Sequence, residues 1–212
     1  MPTEITAIYT FIKTAAELKE LIRYQGQFYW KDYPSQARYE SVADHSWRLA
    51  LMAVLIAPKL SQPVNLERML KMALIHDLPE ILVGDASPMG TDGTGKDTHA
   101  FNEQKRAEKA AKEHAAAKKL FSALPSPLGD ELFALWQEAE AQETFEAKVL
   151  KTLDKMEANI QVLRYREGNV FAAHKEFMQT YGLRGNDVDP ATEALAQEIA
   201  REIDEKFVEF TK

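Results

Sequence analysis

Cysteine is absent from this 212-residue chain. That one absence excludes disulfides, thiolate metal sites and cysteine nucleophiles, and it fits a reducing cytosol. Long apolar runs are also missing: nothing approaches the roughly 18 to 20 residues that would span a bilayer. The first ten residues show no basic stretch followed by an apolar core, so no secretory signal is expected. Basic excess is lacking as well, since 26 Lys and Arg face 33 Asp and Glu for a net charge of −7. A general nucleic-acid binder usually carries the opposite field. A small phosphorylated substrate stays compatible, because one local cation or metal can outweigh the global charge. Period-2 alternation is scarce and there are no internal repeats, which removes strands and solenoids from the expectation. What remains is a cytoplasmic protein with no membrane and no nucleic-acid partner.

What is present is helical periodicity. Apolar stripes predict helices over residues 14–22, 42–57, 66–77, 99–121, 127–141, 143–166, 170–181 and 190–210. The second has a readable start, with Ser41 and Asp44 in capping-box spacing. Pro79 lacks an N–H and would clash with the carbonyl of Ile75, so the third should end near Asp77. A loop rich in Gly, Asp, Thr and Ser covers residues 84–98. No linker divides the chain, so the expected architecture is one all-α domain over residues 1–212.

Three of the apolar helix faces are interrupted by metal-ligand side chains. His45 lies on the stripe of His45, Leu49, Met52 and Ile56. His76 and Asp77 sit at the last turn of the third helix. Asp154 falls among Leu150, Leu153 and Ala158. Burying an imidazole or a carboxylate is costly without a partner, and one shared divalent cation would offset all four costs. Two imidazole nitrogens with two carboxylate oxygens form a mixed N/O set suited to Mn, Fe, Co, Ni or Zn, with Mg as a further candidate. A six-coordinate cation would keep positions open for water and a phosphate oxygen. Each residue also has an ordinary reading: His45 as a core histidine, Asp154 as a surface carboxylate paired with Lys151 or Lys155.

The joined pattern Glu40-Ser41-Val42-Ala43-Asp44-His45-Ser46, Leu74-Ile75-His76-Asp77-Leu78-Pro79-Glu80, Val83-Gly84-Asp85 and Leu153-Asp154-Lys155-Met156-Glu157 resembles the HD-domain superfamily, and within it the small 5′-deoxynucleotidase branch. The resemblance covers about residues 18–167. It implies a helical bundle around one metal held by His45, His76, Asp77 and Asp154, with the C-terminal helices of 170–210 packed on it. It implies catalytic roles for Asp77 and for Glu80, the latter in proton transfer, and a sugar contact for Asp85. It also implies a nucleotide substrate and a homodimer, for which the amphipathic helix 190–210 offers either a partner surface or a face that packs within one subunit. The branch carries an Arg-Trp pair before its first His. Here Tyr29-Trp30-Lys31 stands near that place, so Trp30 reads as a sugar wall or as plain packing, and Lys31 or Arg38 as the phosphate cation. Arg48, one turn after His45, reads equally as a phosphate contact or a salt-bridge partner.

Residues 90–97 imitate a Walker A motif, but Asp97 stands where a hydroxyl should bind Mg²⁺ and no apolar strand precedes it. The expected role is a mobile loop near the site mouth, with Lys96 solvated. His99, His114 and His174 lack partners at ligand spacing. The expected function is metal-dependent hydrolysis of a nucleoside 5′-monophosphate. A non-catalytic nucleotide-binding module and a hydrolase of another phosphate ester are the alternatives.

Overall fold

A computed structural model describes residues 3–26, 39–90, 92–164 and 172–209. Trp30, Lys31 and Arg38, expected near the sugar and phosphate, lie outside the described residues. The architecture is all-α. The described residues form no strand ladder, and an isolated antiparallel bridge joins Ile22 to Ser41.

The chain opens with α1 (Glu4–Ala15), started by Thr3, whose hydroxyl accepts from the Thr6 amide. The helix expected at 14–22 is therefore displaced: α1 ends at Ala15 and only a 3-10 turn, Ala16–Lys19, follows. Ile8, Phe11 and Ala15 face the core, while Ile5, Tyr9 and Ile12 are exposed. Apolar residues on both sides hide the 3.6-residue stripe that marks a helix.

The backbone then runs back on itself. Arg23 N donates to Glu40 O at 2.9 Å and Val42 N to Leu21 O at 2.9 Å. This clamp sets the entry to α2 (Val42–Ile56), which begins with the full Ser41/Asp44 capping box. The box satisfies backbone donors that a helix start otherwise leaves orphaned. Next come α3 (Leu66–Ile75), α4 (Glu80–Val83), α5 (Glu103–Phe121), α6 (Leu128–Ala141), α7 (Phe145–Arg164), α8 (Ala172–Phe177) and α9 (Pro190–Glu209). Regular helix in α3 stops at Ile75, two residues short of expectation, and α5 begins at Glu103 instead of residue 99 because the Asn102 side chain caps it from Lys105 N. The helix expected over 170–181 is α8 followed by a π turn, Met178–Gly182.

The centre of the molecule is α7. It packs on α2, α3, α6 and α9. Leu49, Met69, Met72, Leu153 and Met156 are buried between these helices in one contiguous core. Ridge-into-groove packing of this kind fixes both the position and the rotation of each helix, so side chains on facing stripes meet. No described helix is long and apolar enough to cross a membrane.

Candidate metal centre and cleft

Three helices bring the sequence-selected residues together. His45 comes from the first turn of α2, His76 and Asp77 from the end of α3, Asp154 from the middle of α7. His45 Nε2 lies 3.3 Å from His76 Nε2, 3.1 Å from Asp154 Oδ1 and 3.5 Å from Asp77 Oδ2. Asp77 Oδ2 is in turn 3.0 Å from His76 Nε2. One ligand atom each from His45, His76 and Asp154 falls within a 4.8 Å span.

Hydrogen bonds behind the rings decide which nitrogen faces forward. His76 Nδ1 sits 3.0 Å from the Ala73 carbonyl, which can only accept. His45 Nδ1 contacts the Glu157 carboxylate. With both Nδ1–H groups so engaged, the two Nε2 lone pairs and the carboxylates of Asp77 and Asp154 converge: four acceptors with no donor among them. That donor set fits a divalent cation, and the carboxylate behind His45 is the usual means of orienting a ligating imidazole. A proton competes with a cation for this edge, and the four groups are all acceptors only when His45 is neutral. Burial and Arg23 push the His45 pKa down, but Glu157 and the hydrogen bonds to Asp154 and Glu157 prevail and raise it to about 10. The pocket favours positive charge at that edge. Asp154 is held well below the usual carboxylate range against its burial, first by Lys151 and then by His45.

Glu157 was quoted in the sequence pattern without a role, and it is the hub of the layer behind the centre. It is fully buried. Its Oε2 lies 3.1 Å from Arg23 Nη1, and Oε1 lies 3.0 Å from Arg48 Nη1. Buried Glu40 shares both arginines, at 3.1 Å and 3.5 Å, and Arg48 also donates to Gln161. Of the two readings of Arg48, the structure realises the salt bridge: the side chain is spent on this network, and it is not among the residues lining the cleft. The signal for Glu157 was available, since it falls one turn after Leu153 on an apolar stripe.

In front of the centre lies a cleft enclosing about 710 Å³ including its open mouth, lined by Asp77, Glu80, Asp85 and Asp154 among others. Glu80 opens α4, just past Pro79. Only 5% of it is exposed, and its Oε2 has no hydrogen-bond partner among the described residues. Burial first, then the charges of Asp77 and Asp85, push its carboxyl well above the ordinary range. Asp85 follows Gly84, whose φ of +81° with open space beside it calls for glycine on conformational grounds. Asp85 Oδ2 accepts from Tyr24 N at 3.0 Å, and Tyr24 itself holds a left-handed φ of 56°. Such a backbone is strained for a large side chain and persists only where its surroundings hold it.

The remaining wall is cationic, and the sequence reading did not find it. Lys109, Lys151, Lys155 and Arg23 all line the cleft. Lys109 pairs with Glu113, and Lys151 with Asp154 Oδ2 at 2.6 Å. Lys155 donates to the Arg184 carbonyl at 3.3 Å and lies 5.5 Å from the Tyr181 ring centre, and no carboxylate among the described residues comes within ion-pair distance of it. His99 also lines the cleft. Burial, then Lys109 and Lys151, lower its pKa to about 4, so it is neutral there. These lysines sit on faces where lysine is ordinary, so spacing alone gave no signal.

The Walker-like segment is a tied loop. Thr98 Oγ1 donates to the carbonyls of Pro88 (2.5 Å) and Gly95 (2.8 Å), and Gly95 N to Met89 O at 2.8 Å. Gly95 has φ +70°, and a Cβ there would come within 2.8 Å of the Pro88 carbonyl oxygen. Its glycine serves packing, and Pro88 and Met89 from this loop line the cleft. Lys96 is exposed.

Comparison with known proteins adds the following. A family model described as HD domain matches residues 17–196. The 5′-deoxynucleotidase HDDC2 of Xenopus laevis is 37% identical over 161 residues, which is 76% of this chain and 70% of that protein. Its namesake in Danio rerio is 34% identical over 196 residues, 91% of this chain and 88% of that protein. A solved structure of a predicted metal-dependent phosphohydrolase from Magnetospirillum magnetotacticum superposes with a TM-score of 0.68 at 27% identity, covering 94% of each chain.

Proposed function

The chain belongs to the HD domain family, and on that premise we propose that it is a metal-dependent hydrolase of nucleotide phosphomonoesters, acting on 5′-deoxynucleotides as its named relatives do. The observation that carries this reading is the convergence of His45, His76, Asp77 and Asp154, of which the two aspartates line a cleft that also carries a cationic wall.

In this reading those four side chains hold the cation, and the described helices form one domain. When bound, a divalent cation neutralises developing charge and acidifies water. The protein's own groups do the rest. Lys155, with Lys151 and Lys109 beside it, binds the phosphate oxygens. Asp85, fixed by the Tyr24 amide, accepts a hydrogen bond from a sugar hydroxyl. Burial, then the charges of Asp77 and Asp85, favour the protonated form of Glu80. Glu80 delivers that proton to the 5′ oxygen as the P–O bond breaks, so the sugar leaves as an alcohol. The dry position of Glu80 strengthens each of these electrostatic contributions. The roles of Trp30 and Lys31 toward sugar and phosphate remain part of the proposal.

A homodimer in the cytosol completes it. The outer face of α2 supports a partner surface, with Trp47 65% and Leu55 62% exposed beside Leu51, Val54 and Leu74 of α3. Exposed large apolar side chains at three- and four-residue spacing on one helix support such a surface.

The test is phosphate release from a panel of ribo- and deoxynucleoside 5′-monophosphates, using protein stripped of metal and then given Mn²⁺, Co²⁺, Mg²⁺ or nothing. Release that depends on added metal and favours deoxyribose is expected. Silence across the panel with metal bound would overturn the assignment.

A further inference from the structure

We propose that the end of the cleft built around Asn159 is a nucleobase subsite, an inference that rests on the nucleotide reading of the same cleft. Asn159, Ala158, Phe177, Met178 and Gly182 line the cleft together with the candidate metal residues Asp77 and Asp154. The α7 helix gives the cleft its direction. Lys151, Lys155 and Asn159 follow one another at four-residue spacing, so they form one stripe. Asn159 stands five residues beyond Asp154, about 7.5 Å further along the axis at ~1.5 Å per residue. A phosphate held at the Asp154 and Lys155 end therefore points the rest of its nucleotide toward Asn159.

Asn159 is built for a ligand more than for the core. It is only 3% exposed. Its Nδ2 donates to the Met178 carbonyl at 3.2 Å, which fixes the amide plane. That leaves one N–H and the oxygen Oδ1, and no described residue donates to Oδ1. The amide oxygen is not sealed inside the core, so on the lining of the cleft it stays free to accept from a ligand. Room for the amide is secured by Gly182, the last residue of the π turn. A Cβ at that position would lie 2.3 Å from Oδ1 and 2.6 Å from Nδ2. No left-handed φ requires glycine there, so its role is space.

The chemistry selects the ligand class. A carboxamide presents a donor and an acceptor side by side, and the edges of nucleobases present the complementary pair, as asparagine's bidentate contact with adenine illustrates. Neither phosphate nor a sugar hydroxyl alone offers that pairing. The apolar sides of Met89, Phe177 and Met178 suit the faces of a flat heterocycle.

The experiment compares 2′-deoxyadenosine 5′-monophosphate with 2-deoxyribose 5-phosphate, which lacks the base, in the metal-loaded protein. The native protein should prefer the nucleotide in kcat/KM. Asn159→Leu should reduce that preference roughly 10-fold, the net worth of one or two hydrogen bonds. Gly182→Ala should reduce it as well by displacing the amide, and it serves should Asn159→Leu fail to fold. An equal kcat/KM for the two substrates in the native protein, or an unchanged preference in the variants, overturns the subsite. Calorimetric titration with 2′-deoxyadenosine needs no turnover and separates the two ideas. Binding that depends on Asn159 in a protein releasing no phosphate would support the subsite and sink the hydrolase reading. Phosphate release without nucleoside binding would do the reverse.

Discussion

Replacing Glu157 by Gln tests whether the buried layer behind the cluster orients it. The glutamate meets the His45 ring with one oxygen, Arg23 with the same oxygen at 3.1 Å and Arg48 with the other at 3.0 Å. Glutamine keeps the volume and one acceptor but removes the charge. Buried Arg23 and half-buried Arg48 would then have Glu40 as their shared carboxylate, with Gln161 still beside Arg48. Taking one partner from a buried ion pair costs about 3–5 kcal/mol, and because Glu40 remains the lower end applies. For a chain of this size each 1 kcal/mol moves Tm by about 2–4 °C, so the metal-free variant should melt about 6–12 °C lower. The effect on metal is separate. Loss of the partner behind a ligating histidine typically weakens affinity about 10–100-fold. With Mn²⁺ at a hundred times the native Kd, the native protein gains about 2.7 kcal/mol, whereas a variant binding about 100-fold more weakly gains only about 0.4 kcal/mol. Differential scanning calorimetry of both proteins, with and without Mn²⁺, reads both numbers. A variant with the native metal-induced rise in Tm would show that Glu157 stabilises the core and does nothing for the centre.

Asp77→Ala should lose metal and activity together. A purified variant retaining a full equivalent of metal would remove Asp77 from the ligand set. Glu80→Gln should keep its metal while turnover falls about 10²- to 10⁴-fold. The same variant makes a pH prediction in the metal-free protein. The folded Glu80 carboxyl has a pKa raised above its unfolded value, so its stabilising contribution is complete below about pH 4.3 and is lost as pH rises through the folded value. Glutamine suffers no such loss, so the variant should match the native Tm near pH 4 and exceed it near pH 8; equal melting at both values would refute the raised pKa. Lys155→Ala should lower kcat/KM by about 10–100-fold, the worth of a hydrogen bond to a charged group, mostly through KM. An unchanged KM would exclude Lys155 from phosphate binding.

The sequence disclosed those parts in which a residue type contradicts its surroundings. His45 and Asp154 break apolar stripes, and Ser41 with Asp44 marks a helix start by local chemistry alone, so each was legible. α1 was missed because Ile5, Tyr9 and Ile12 are apolar yet exposed, which blurs its stripe. The early start expected for α5 overlooked Asn102, a capping residue in plain view. Lys109, Lys151 and Lys155 gain their meaning only from what lies across the cleft. Asn159 gains its own from Gly182, which no periodicity connects to it. Contacts between distant segments are set by packing, and packing is not written in any one window.

The cluster draws its members from three helices, and more than a hundred residues separate His45 from Asp154 in the chain. A ribosome making this protein exposes His45, His76 and Asp77 well before it reaches α7. An ion captured early would meet an incomplete set, without the carboxylate of Asp154 and without Glu157 to turn the His45 ring. If the cluster holds a metal, the choice of ion is therefore deferred until α7 has emerged and docked. The ion that ends up in the protein then reflects what the cell holds in exchangeable form at that moment, and not what the nascent chain met first.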